Sequence, residues 1–210
     1  MCGRFALKNT AGLQLLFDSL DVKVPDVETR YNIAPGTAIP GLLNDFHFRT
    51  DIIWGIEPVW AKKKPALIIN ARAETIREKP TFRNLFKSQR MIIPVSGFYE
   101  WKREGNAKIP YYFFGKDDLP LALAGIYSIN RDNVVQCCII TTEAGEAMRT
   151  IHDRQPLVIE RNLMHDWLKS EDSAVLDAIM ALNDGLGSYQ VSSFVNSSRN
   201  EGPECLEKIK

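Results

Sequence analysis

The sequence predicts an α+β fold: a mainly antiparallel β core with flanking helices, forming a single domain over residues 1–210. Three observations carry that expectation. β-branched and aromatic runs dominate the middle of the chain, and they do not alternate regularly with helices as a doubly wound sheet requires. Helical periodicity is confined to three stretches. A length of 210 residues supports one substantial core and is short for two separate ones.

"GLQLLFDSL" opens the regular structure, with Leu13, Leu16, Phe17 and Leu20 at the spacing of an amphipathic helix. "YNIAPGTAIPGL" follows as short extended pieces, its Pro35-Gly36 and Pro40-Gly41 pairs marking turns. Strands are expected at "HFRTDIIWGI", "ALIINARAETI", "RMIIPVSGFYEW", "PYYFF", "LALAGIYSI", "VVQCCIITT" and "QPLVI". "PTFRNLFKSQ" and "NLMHDWLKSEDSAVLDAIMALND" read as helices. The second is broken near Ser170 to Ser173, where Ser170 or Asp172 can cap a new start.

Composition narrows the function classes. Hydrophobic residues at 45% and charged residues at 25% belong to a soluble globular chain and exclude disorder. No apolar run approaches the roughly 20 residues of a membrane span, and no signal-like segment opens the chain. An intracellular protein is expected, cytoplasmic or nucleoid-associated if bacterial, with no membrane partner. Cysteines at 2, 137, 138 and 205 show neither CxxC spacing nor a disulfide framework, so no metal and no cofactor are expected. Glycine-rich phosphate loops are absent.

Basic and acidic residues balance at 26 each, so net charge does not argue for a polyanionic partner. Distribution is uneven. Between Trp60 and Arg90 nine basic residues face Glu74 and Glu78, whereas six acidic residues face two basic ones between Glu160 and Asp184. The count alone favours an unevenly charged, solvated surface over one basic face.

Candidate chemistry begins at Cys2. Methionine aminopeptidases remove Met1 when the next side chain is small, and cysteine qualifies, so the mature chain is expected to begin with an α-amine and a thiol on neighbouring carbons. Such an amine is neutral in roughly one molecule in ten at pH 7 and forms imines readily. The thiol can then close a five-membered thiazolidine. In "ALIINARAETI" a strand would put Asn70, Arg72 and Glu74 on one side, an amide beside a guanidinium. In "RMIIPVSGFYEWKR" the apolar side is Met91, Ile93, Val95, Tyr99 and Trp101, leaving Ser96, Phe98, Glu100 and Lys102 opposite unless Gly97 introduces a bulge. Partial burial of Glu100 would make it a usable acid or base, although an exposed strand glutamate is the commoner case. "TIHDRQP" places His152, Asp153 and Arg154 together in a loop.

The motifs "MCGRF", "YNIAPGT", "WGIEPVWAK", "INARAET", "GFYEWK", "IHDRQP" and "VNSSRNEGPE", in this order, resemble the SRAP family, the SOS-response-associated peptidases, from Cys2 to about Glu204. The resemblance implies that Cys2 captures the aldehyde of an abasic site in single-stranded DNA as a covalent thiazolidine, a lyase-like chemistry that shields the lesion. It implies that Asn70 hydrogen-bonds the sugar and cysteine, that Glu100 orients the amine and moves protons, and that His152 assists ring opening. Arg4, Arg72 and Arg154 match phosphate-gripping arginines, and Pro35 and Trp60 match positions lining the DNA path. Gln155 stands where methionine is frequent. A monomer is expected. Two other readings stay open: an N-terminal-nucleophile cysteine peptidase, including autocatalytic removal of Met1, and a non-covalent single-strand-binding module.

Overall fold

The computed structural model describes every residue except 1, 9, 10, 59–65, 118, 171, 173, 182–184 and 210. The chain enters through β1 (Phe5–Leu7) and the helix α1 (Ala11–Phe17), whose Leu13, Leu16 and Phe17 are buried as the periodicity requires. β2 (Arg30–Ile33) and β3 (Ala38–Leu43) flank a turn in which Pro35 presets one central position and Gly36, at φ +85°, takes the left-handed one. Pro40-Gly41, expected as a second turn, lies inside β3. The register to β4 (Phe48–Trp54) shifts between Ile39 and Gly41, so the missing N–H of Pro40 falls at an irregularity in the ladder.

β5 (Asn70–Arg72) is shorter than expected because residues 73–75 wind into a 3₁₀ turn. After α2 (Arg83–Ser88), the run expected as one strand is two: β6 (Arg90–Val95) and β7 (Gly97–Glu104), in different sheets and divided at Ser96. Only glycine fits at 97, since a Cβ there would lie 2.3 Å from the Phe113 carbonyl oxygen. β8 (Ala107–Gly115) folds back on β7, and β9 (Leu121–Ile129) forms a hairpin with β10 (Val135–Glu143). Next come α3 (Glu146–Arg149), β11 (Arg154–Pro156) and β12 (Val158–Ile159). α4 (Met164–Lys169) and α5 (Ala174–Ala181) are the two halves of the broken helix; the Ala174 N–H donates to Asp172 Oδ1 at 2.8 Å. β13 (Leu186–Gln190) adds a strand beyond those the sequence predicts.

One sheet has the order β13-β8-β7-β1-β2. The other closes on itself, because β9 pairs with both β6 and β10, giving a small barrel of β10, β4, β3, β6 and β9 with β5, β11 and β12 attached. Most pairings are antiparallel, but β10 runs parallel to β4 and to β5. Its residues Val135 to Thr142 are all buried, as a strand covered on both faces must be.

Packing between the sheets fixes the site. Phe5 of β1 and Trp54 of β4 are fully buried, their ring centroids 5.1 Å apart. Trp54 donates its indole N–H to the Ile69 carbonyl at 3.1 Å, and the Ile139 N–H donates to the same carbonyl at 3.0 Å. β5 is thereby pinned immediately ahead of Asn70. The basic and acidic segments meet: Arg77 pairs with Asp177 at 3.0 Å. Arg90 is buried, its guanidinium over the rings of Phe86 and Trp167 and hydrogen-bonded to the Ser170 carbonyl. These two cations are engaged by protein, so the excess counted in sequence is not one free basic face. Lys62, Lys63 and Lys64 lie outside the described residues.

Candidate functional site

Cys2 precedes β1 and is fully buried. The antiparallel register Phe5↔Phe98, with the Tyr99 N–H bonded to the Arg4 carbonyl at 2.9 Å, carries the start of the chain alongside Glu100 of β7. Burial pushes the Cys2 thiol far above its ordinary value, the nearby Glu100 carboxylate pushes it further, and the backbone N–H of Arg4 pulls the other way. The resting group is a neutral thiol. Glu100 itself is 3% exposed, not the solvated strand glutamate that alternation would suggest. The sequence pattern misleads because this end of β7 is covered on both faces: Phe98 and Tyr99 are both fully buried.

Asn70 begins β5, whose register on β10 is Asn70↔Ile139 and Arg72↔Thr141. Its amide atoms Oδ1 and Nδ2 are both shut off from solvent and have no hydrogen-bond partner among the described residues. Each such atom costs about 1–3 kcal/mol, a cost that a bound polar group relieves. Arg72, two residues on, is exposed. Glu74 does not continue the strand face. The 3₁₀ turn redirects it toward Arg154, whose Nη1 and Nη2 donate to the two carboxylate oxygens at 2.8 and 2.9 Å. Burial is the strongest single influence and would raise the Glu74 carboxyl, but the Arg154 hydrogen bonds, its own backbone N–H, the Arg154 charge and the Thr142 hydroxyl together hold the group below its ordinary value.

Arg154 is 8% exposed and also donates to the Thr141 carbonyl at 2.6 Å. An arginine expected on phosphate is therefore already committed, through both terminal nitrogens, to protein oxygens. His152 precedes it in a loop tied down at several points. The His152 N–H donates to the Met148 carbonyl at 3.0 Å, the Ala144 N–H to the Asp153 carbonyl at 3.0 Å, and the Gly145 N–H to Gln155 Oε1 at 2.8 Å. Gln155 is thus a bracket between the start of α3 and β11.

Arg4 immediately precedes β1. Its Nη1 donates to Asn32 Oδ1 at 2.7 Å and to the Val195 carbonyl at 3.1 Å, and its guanidinium sits 5.8 Å from the Trp101 ring centroid. Burial holds it below the ordinary guanidinium value, so a phosphate beside it would compensate lost solvation. Buried Asn32 in turn donates to the carbonyls of Ser197 and Asn200 at 2.9 and 2.7 Å, fastening the late loop to β2. Pro35 is half-buried in its turn. Trp60 lies outside the described residues.

Two pairings are therefore explicit, Cys2 with Glu100 and His152 with Arg154, and the Phe5–Trp54–Ile69 contacts connect β1 to β5. Sequence reasoning passed over Asn32, Glu74 and Trp101 as supports. All three sit inside quoted motifs, but their partners are 28 to 168 positions away and unmarked by any local pattern. Among the described residues no group of three or more His, Cys, Asp or Glu is arranged to hold a metal ion.

Comparison with known proteins bears on this arrangement. The profile of the family described as SOS response associated peptidase (SRAP) matches residues 1–198. "Abasic site processing protein YoqW" of Bacillus subtilis (strain 168) is 37% identical, with 99% of each chain covered. "Abasic site processing protein YedK" of Escherichia coli (strain K12) is 34% identical over the whole of both chains. A crystal structure of a protein from Bacteroides thetaiotaomicron superposes over the full length of both chains with a TM-score of 0.80 at 23% identity, which shows a common fold.

Proposed function

We propose, from the premise that this chain belongs to the SOS response associated peptidase (SRAP) family, that it processes abasic sites in DNA by capturing the sugar aldehyde on Cys2. The observation that carries the reading is the setting of Cys2, a buried neutral thiol with the Glu100 carboxylate beside it.

In this reading Met1 is removed and the freed α-amine of Cys2 adds to the ring-opened aldehyde carbon. The carbinolamine loses water to give an iminium, Glu100 carrying protons between nitrogen and the departing oxygen. The neighbouring thiol then adds to the iminium carbon and gives up its proton, closing the thiazolidine. One C–N and one C–S bond form, and one water leaves. A thiol raised by burial and by a carboxylate stays protonated until the iminium brings a positive charge next to it. That electrostatics favours amine first and sulfur second. The hidden amide of Asn70 donates to and accepts from the sugar and the cysteine. His152 assists opening of the sugar ring, and exposed Arg72, with Arg4, receives phosphates of a single strand.

The peptidase reading asks the opposite of Cys2. A thiol that attacks peptides is activated by electropositive surroundings that favour thiolate, whereas burial and Glu100 both act against it here. The direct test is intact mass before and after mixing the protein with single-stranded DNA carrying one abasic site. The expected product is protein lacking Met1 plus oligonucleotide less one water. A denatured sample in which the two masses remain separate would mean a non-covalent binder, and turnover of peptides without any adduct would mean an acyl-transfer enzyme.

A further inference from the structure

The loop holding His152 contains a contest that the fold resolves at a distance. His152 Nδ1 lies 3.0 Å from the backbone nitrogen of Arg154 and 2.9 Å from Asp153 Oδ1. The first contact needs a lone pair on Nδ1, because the Arg154 N–H donates to it. The second needs a proton on Nδ1, because a carboxylate only accepts. A neutral ring cannot satisfy both.

The two rivals are unequally held. The Asp153 side chain is 86% exposed, so water competes for its carboxylate. Arg154 is anchored by four side-chain contacts: two to the Glu74 carboxylate, and two to the carbonyl and hydroxyl of Thr141 at 2.6 and 3.3 Å. Thr142 adds its hydroxyl to Glu74 Oε1 at 3.3 Å. A cavity of about 420 Å³ beside Glu74 is also lined by Glu143 and Arg149. The Arg154 backbone is also held by the pairing of β11 with β10 in the register Glu143↔Arg154, and the Glu74 clasp adds a side-chain anchor to that residue.

We propose that Glu74 is a positioning residue for His152: by clasping Arg154 it keeps the Arg154 N–H on Nδ1 and so holds the neutral ring as the tautomer protonated on Nε2. Nε2–H is then the group that can donate toward a sugar oxygen as the ring opens. The inference rests on the role given to His152 above, and it concerns a residue eighty positions from Arg154 that touches neither DNA nor Cys2 in that reading.

Two measurements separate the inference from the reading beneath it. Nitrogen-15 NMR of the histidine rings in the free protein reports tautomers without any DNA. Wild type is expected to show His152 with Nδ1 unprotonated. Glu74→Gln releases Arg154, lets Asp153 compete, and is expected to move the neutral ring toward protonation on Nδ1. Glu74→Asp keeps the charge but not the two-pronged geometry and is expected to fall between. Unchanged His152 tautomers in both variants overturn the proposal whatever the DNA chemistry proves to be.

Kinetics supply the second arm. Glu74→Gln is expected to slow crosslinking to abasic DNA about tenfold, a fraction of what a positioned proton donor contributes. Added to His152→Ala, it is expected to slow the reaction no further, the non-additivity of two residues acting as one. On an oligonucleotide bearing a permanently open aldehyde, Glu74→Gln is expected to match wild type. Multiplying effects in the double variant, or equal slowing on the open aldehyde, would show that Glu74 acts only on overall structure. Wild type that forms no adduct with either substrate would refute the capture reading, leaving the tautomer result to judge Glu74.

Discussion

Glu74 and Glu100 are carboxylates whose surroundings differ in kind. Glu74 meets a guanidinium in two-pronged geometry, and its carboxyl is held below the ordinary value of 4.5 although burial works against it. Glu100 is more deeply buried, and a neighbour whose ionisation it alters is a neutral thiol. A carboxylate matched to a fixed cation is committed to geometry. One placed beside groups whose charge changes during a reaction can follow that change.

The largest effect expected from this contrast lies on the Cys2 side. Cys2→Ser, with Met1 removed, keeps the amine but closes the ring far less favourably. Its adduct should be trapped by borohydride and should not survive heating without it, whereas wild type should give a heat-stable one and retention of Met1 should abolish both. A heat-stable adduct of Cys2→Ser equal to wild type would move the chemistry to another nucleophile. Next, Glu100→Gln should slow crosslinking about a hundredfold, as loss of a proton carrier does, with DNA affinity within about twofold. If Glu74→Gln were slowed more than Glu100→Gln in single-turnover assays, the division of labour between the two carboxylates would be reversed.

Acid should separate them as well. A carboxyl held low in the folded state stabilises fully above its unfolded value and loses that contribution as pH falls through the folded one. The thermal midpoint of wild type should therefore exceed that of Glu74→Gln at pH 7, and the gap should shrink steadily below pH 4.5. A gap independent of pH would mean that the clasp contributes packing alone. Smallest of all, Arg72→Ala should reduce the slope of log affinity against log salt by about 0.7, the share of one phosphate on a single strand. Arg154→Lys should leave that slope nearly unchanged if its charge stays with Glu74.

Much of this was legible in the sequence, and the failures have physical causes. The helix break at 170–173 and the Pro35-Gly36 turn depend on local backbone chemistry and stand as read. Pro40-Gly41 carries the same local signal but sits in β3, where neighbouring strands on both sides impose an extended path. "RMIIPVSGFYEW" keeps a continuous strand character, so nothing local marks Ser96 as the point where the chain leaves one sheet for the other. "LGSYQ" was passed over because glycine and serine weaken strand character, which pairing with β8 restores. Cys2, Asn70, Glu100 and His152 stood out by residue type and motif. The burial of Glu100 and the partner of Arg154 did not, since both are set by contacts that span most of the fold.

The pairing of β1 with β7 also sets a clock on biosynthesis. Glu100 leaves the ribosome about 100 residues after Cys2, which at 5–20 residues per second is roughly 5–20 s. Until then β1 has no β7 to pair with, and an aminopeptidase meets Met1 on an open chain. Once the sheet closes, Cys2 lies buried, and an aminopeptidase no longer meets an extended chain at this end. In the capture reading trimming would therefore belong to translation, and a cell that makes the protein faster than it trims would accumulate folded copies that never acquire a free amine. Titration of active sites in an overproduced batch should fall short of the protein concentration by the fraction of chains that keep Met1.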